Sequence, residues 1–134
     1  MYFRFVFFIL FFSIFTSCSV SNKIAVKKQE RIKLILNDIA LEKFKNDYKV
    51  NYNQTGEYAI VMKSEKKFTD LYPDTKYFVF SLRSKSIIIE DSLKAGNVYW
   101  ENDYFLKAFE REQQAESPIY EYGFDVKNKV YKLD

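Results

Sequence analysis

Four carboxylates, Glu90, Asp91, Glu101 and Asp103, fall near the ends of three expected consecutive strands, where a meander can gather them. Paired carboxylates can do general acid and base work or bind calcium. Solvated strand ends are the simpler reading, because no glycine-pivoted calcium loop accompanies them and catalysis would need burial to raise one pKa. The chain also has no histidine, and so lacks the side chain that titrates near neutrality and the commonest metal ligand. Its single cysteine, Cys18, can form neither an intramolecular disulfide nor a Cys-x-x-Cys pair. Gly56, Gly96 and Gly123 are spaced too widely for a dinucleotide-binding G-x-G-x-x-G or a Walker-type phosphate loop. No catalytic residue, metal ligand or cofactor is assigned.

Aromatic residues are the other chemical resource: 14 Phe, 11 Tyr and one Trp in 134 residues. Tyr58, Tyr77 and Trp100 alternate in phase with aliphatic neighbours and read as core. Tyr120, Tyr122 and Phe124 share one strand face opposite Glu121 and form a candidate, partly exposed binding patch. Two basic groups, Lys63 with Lys66 and Lys67, and Arg83 with Lys85, read as solvated hairpin tips, although beside anionic lipid each cation can contribute about 1 kcal/mol. A net charge of +3 with both signs interspersed leaves no one-signed stripe, so nucleic-acid binding is not expected.

The N-terminus reads as an address. Arg4 is the only charge before an apolar run from Phe5 to Phe15, which is too short to cross a bilayer; a spanning helix needs about 20 apolar residues. A short positive start, an apolar core and small residues after it make a secretory signal. Phe15-Thr16-Ser17-Cys18 resembles the lipobox of bacterial lipoproteins, with Phe15 standing where that family usually has leucine. The Phe-rich core is similar to small lipoproteins of Bacteroidota. The resemblance implies cleavage after residue 17, a diacylglycerol on the Cys18 sulfur and, with Ser19 following it, an outer-membrane destination. Residues 1–17 are then signal peptide, 18–28 a lipid-anchored tether, and 29–134 one domain.

In that domain Ile32, Ile35, Leu36, Ile39 and Ala40 recur at spacings of three and four, which predicts an amphipathic helix over about 27–47, with Phe44 able to extend the stripe. Beyond Asp47 the period changes to two. Strands are expected at 49–53, 57–63, 76–82, 86–91, 97–101, 104–110, 119–124 and 129–133. Gly56 supplies the first hairpin turn, Pro73-Asp74 marks another turn, and Asn102-Asp103 offers left-handed turn residues. The segments KYFVFSL (76–82) and SIIIED (86–91) are apolar on both faces and predict central strands. The polar run 111–117 predicts a loop. The fold class is therefore α+β, mainly β: an N-terminal amphipathic helix packed on an antiparallel meander of six to eight short strands.

These readings predict a lipid-anchored cell-envelope protein at the outer membrane, held by Cys18 and acting as a non-enzymatic protein-binding or assembly module. Exposed strand edges and aromatics favour a protein partner in the envelope. The alternative is a periplasmic inhibitor or small-ligand-binding lipoprotein.

Overall fold

A computed structural model describes residues 25–111 and 118–133. The signal segment, Cys18, most of the tether and the loop at 112–117 lie outside the described residues. The chain divides into two compact units, residues 1–35 and 36–134. In the first, residues 25–35 are helical, so helix begins inside the segment expected to be tether. Ala, Lys, Gln, Glu and Arg dominate that run and no glycine or proline interrupts it.

The helix, α1, spans 25–44 and carries its C-terminal turns into the second unit. Leu36, Ala40 and Phe44 form its buried stripe, with Ile32 and Ile39 half-buried and Ile35 exposed. The stripe therefore follows a spacing of four more closely than the one read from sequence. Its end is chemical: Lys45 adopts a left-handed φ of 64° and donates its N–H to Leu41 O at 2.8 Å, satisfying a carbonyl the helix would leave orphaned.

Eight antiparallel strands follow, but as two sheets instead of one. The first holds β1 (Lys49–Tyr52), β2 (Tyr58–Glu65), β3 (Asp74–Ser81) and β4 (Ser86–Leu93) in chain order. The second holds β5 (Asn97–Trp100), β6 (Phe105–Arg111), β7 (Pro118–Asp125) and β8 (Val130–Leu133), also in order. Among the described residues the links at 53–57, 82–85, 101–104 and 126–129 within the sheets are short, as antiparallel neighbours allow. Gly56 takes φ 68° in the β1–β2 loop, as expected. The β5–β6 turn works differently from expectation, because neither Asn102 nor Asp103 is left-handed. Asn102 Oδ1 instead accepts the N–H groups of Tyr104 at 3.1 Å and Phe105 at 3.0 Å, so its side chain makes the turn.

The sheets share a core. Ile60, Met62, Tyr77, Val79, Ile89 and Leu93 of the first cluster with Val98, Leu106, Ala108 and Phe124 of the second and with Val126 just beyond β7. Alternation sends Val61, Phe78 and Phe80 to the opposite face of the first sheet, where they are also buried. There Phe44 stacks on Phe78 with ring centroids 5.7 Å apart, and Lys43 pairs with Glu90 at 2.7 Å. β3 is thus central, as its sequence predicts. β4 is an edge strand, contrary to expectation. Its register with β3 passes from Val79↔Ile89 to Phe80↔Ile87, and the bulge lets the consecutive Ile88 and Ile89 both pack on the same core.

On the outer face of the second sheet, the Phe105 ring lies against Gly123 where a Cβ would stand, and Lys132 Nζ sits 5.3 Å from the centre of the same ring. An aromatic here covers backbone that glycine leaves bare. Gly123→Ala should therefore destabilise the fold by about 1–3 kcal/mol through overpacking. In urea denaturation Gly123→Ala should cost much less when added to Phe105→Ala than when added to the parent protein.

Candidate functional site

In the second unit a cleft of about 530 Å³ lies beside β5. Lys49, Asn51, Met62 and Ser64 form its floor; their register places them on the same face as core residue Ile60. Tyr99, Phe109 and Arg111 form one wall, and their parity along β5 and β6 is opposite to that of the core residues Val98 and Ala108. The cleft therefore lies off the β5 edge, where the first sheet extends past the second.

Hydrogen bonds fix its borders. Trp100 Nε1 donates to Asn51 O at 3.0 Å, tying the end of β5 to β1. Thr75 Oγ1 donates to Gly96 O at 2.8 Å, and Gly96 N–H donates to Pro73 O at 3.1 Å, holding the β4–β5 connection against the loop before β3. The Arg111 guanidinium lies 4.9 Å from the centre of the Tyr72 ring and 5.0 Å from that of Phe109, and its Nη1 donates to Tyr72 OH at 3.2 Å. Its Nε is buried with no hydrogen-bond partner among the described residues.

β5 pairs with β6 alone. Glu101 N–H bonds Phe105 O at 2.9 Å, and the alternation this sets turns the backbone groups of Val98 and Trp100 away from β6. Asn97 Oδ1 accepts the Val98 N–H at 2.9 Å, a local acceptor where a neighbouring strand would supply one. An edge of this kind beside a cleft is a template for strand addition.

The residues singled out in the sequence fall elsewhere. The patch expected at Tyr120, Tyr122 and Phe124 is not one surface: Phe124 is 3% exposed in the core, Tyr122 is half-buried, and only Tyr120, at 66%, meets solvent broadly. That face of β7 is the inner one, because Leu106↔Phe124 and Ala108↔Tyr122 pair it with core positions of β6. Nor do the four carboxylates meet in one site. Glu90 pairs with Lys43, Asp91 accepts from Tyr122, and Glu101 pairs with Lys107 at 3.4 Å. Asp103 Oδ1 is buried without a partner among the described residues. No metal-holding cluster of His, Cys, Asp or Glu occurs among the described residues. Of the basic groups, Lys63 is taken by Glu65 at 3.1 Å. Sequence reasoning missed Arg111, Tyr72 and Lys49 as a group, since they come from segments far apart in the chain. The cation of Arg111 within two residues of Phe109 was the one available signal.

A second polar feature crosses the core: Tyr77 OH lies 3.0 Å from Tyr122 OH, which donates to Asp91 Oδ2 at 2.6 Å. Burial pushes the Tyr77 phenol well above its ordinary value. Burial first, then the bonds to Asp91 and Tyr77, does the same for Tyr122. Both phenols stay protonated, which suits a structural bridge between the sheets and not a general base.

Neither protein-family models nor curated proteins nor solved structures give a match to the chain.

Unfolded tyrosines ionise near 10.0, whereas the folded pair hold their protons, so the folded state loses its advantage as pH rises above that value. Tyr122→Phe should cost about 1–3 kcal/mol at neutral pH by leaving the buried Tyr77 hydroxyl without its partner. Urea midpoints should then fall less steeply for the variant than for the parent between about pH 9 and about pH 11.

Proposed function

We propose that this chain is a lipid-anchored cell-envelope protein, held at the outer membrane through Cys18, whose mature body is a non-enzymatic binding module for a protein partner. The observation that carries the module reading is the cleft beside β5, where the outer strand of one sheet borders an uncovered part of the other. An extended segment of a partner would bond to the β5 edge as a fifth strand of the second sheet. Its alternate side chains would then enter the cleft over Lys49, Asn51, Met62 and Ser64. Backbone bonding would supply affinity and the cleft specificity.

The anchor reading is supported by the apolar run Phe5–Phe15 and the small residues before Cys18. Among the described residues no helix is long and apolar enough to cross a membrane. Two or three acyl chains, at about 0.8 kcal/mol per buried methylene, hold a protein stably where one chain is marginal. The cleft volume of about 530 Å³ also favours a second reading, a periplasmic inhibitor or small-ligand carrier, because it lies within the usual range for ligand sites.

Mass spectrometry of the native protein should find residues 1–17 removed and acyl chains on residue 18, and Cys18→Ser should release the protein from the membrane fraction. An intact N-terminus with a bare sulfur would refute the anchor. For the module, a photoreactive residue replacing Tyr99, which is 42% exposed in the cleft wall, should trap one discrete partner in living cells. Asn51→Trp, which fills the cleft floor from an exposed position, should abolish that adduct. A yield no higher than from the same probe at exposed Val130, or one that Asn51→Trp leaves unchanged, would count against it.

A further inference from the structure

We infer that the segment the cleft takes is acidic: an extended peptide whose side-chain carboxylate is bound by Arg111, with Lys49 adding to the positive field. This deepens the binding-module reading and rests on it.

Among the described residues the charge lining the cleft is one-signed: Lys49 and Arg111 line it, and no described Asp or Glu does. Two described carboxylates at that border are committed to backbone: Asp74 Oδ1 accepts the Ala95 N–H at 3.0 Å and Glu110 Oε1 accepts the Lys94 N–H at 2.8 Å. Three cations elsewhere in this unit, Lys43, Lys63 and Lys107, stand against carboxylates at 2.7 to 3.4 Å, whereas others at its surface, such as Lys76 and Lys94, form no ion pair among the described residues. Arg111 and Lys49 have no such partner among the described residues.

Arg111 is also positioned before any ligand arrives. The rings of Tyr72 and Phe109 hold the guanidinium, and the bond from Nη1 to Tyr72 OH fixes its rotation. The two rings contact the face of the guanidinium and leave its in-plane N–H donors to hydrogen bonding, and one of these, Nε, is buried with no acceptor among the described residues. A guanidinium held in place in a cleft that no described carboxylate lines is complementary to a carboxylate. The aromatic contacts and the Tyr72 bond hold the guanidinium in place, which reduces the entropy lost on binding. A peptide in place of a free anion follows from the β5 edge beside it, since a strand bonded there would point every second side chain toward the cleft.

The test uses alternating Val–Glu, Val–Gln and Val–Lys octapeptides as probes. Binding is read by calorimetry and by the fluorescence of Trp100, the chain's only tryptophan, which sits at the cleft border. The Val–Glu peptide should bind about tenfold or more tightly than Val–Gln, Val–Lys should not bind, and raising salt from about 50 to about 300 mM should weaken Val–Glu several-fold. Arg111→Gln should remove most of the Glu-over-Gln preference, Arg111→Lys should restore little of it, and Lys49→Gln, at an exposed position, should reduce it by about two- to fivefold. If Arg111→Gln fails to fold by circular dichroism, the Lys49→Gln result and the salt dependence decide. Equal binding of Val–Glu and Val–Gln would overturn the acidic preference while leaving the strand-binding reading intact. Binding of sodium glutamate as tightly as the peptide would overturn the peptide and leave a small-anion site. Self-association lost on Asn51→Trp, without peptide binding, would make a second copy of the chain the occupant and overturn the inference. Failure of every probe to bind would overturn both this inference and the module reading.

Discussion

Burial of β3 on both faces is the constraint from which the rest of the architecture follows. Along β3, Tyr77 and Val79 enter the core shared with the second sheet, while Phe78 and Phe80 are buried on the side where α1 lies. A strand so placed has no solvated face and must be covered twice, once by a sheet and once by a helix. At about 25 cal/mol per Å² of apolar surface removed from water, stacked aromatics such as Phe44 and Phe78 contribute more than any surface ion pair in the structure. The salt bridge from Lys43 to Glu90 sets the helix's register on that face more than it stabilises it.

Two four-stranded sheets also explain where the cleft forms. A single closed barrel would leave no edges; two open meanders leave four, and β5 borders the uncovered part of the first sheet. The protein blunts that edge locally, with Asn97 serving the Val98 N–H and the Trp100 indole bonding to Asn51. The polar chain from Asp91 through Tyr122 to Tyr77 ties the sheets together by hydroxyls that each find a partner.

The proposed anchor and the proposed use of the cleft fit one functional picture. Lipid on Cys18 would confine the body to a membrane surface, which raises the encounter rate with envelope partners without demanding high affinity at the cleft. Modest strand addition, given direction by one carboxylate pairing, suits such a tethered module.

Local chemistry could be read directly from the chain. The change from a helical period to a period of two near Asp47, the positive φ of Gly56, and the burial of β3 all follow from residue type and spacing within a few positions of each other. So do the exclusions, since a chain without histidine and with one cysteine lacks those ligands in any fold. What depends on distant segments could be read only from the tertiary structure. Periodicity says that a strand has two faces but not which neighbour covers each, so it did not divide the meander into two sheets or make β4 an edge. It put Tyr122 and Phe124 on one face correctly, yet only pairing with Leu106 and Ala108 decides that this face looks inward. The cleft is the extreme case. Lys49, Tyr72 and Arg111 come from three separate segments, and a cation's partners, or its lack of them, are set by packing geometry that no local pattern encodes.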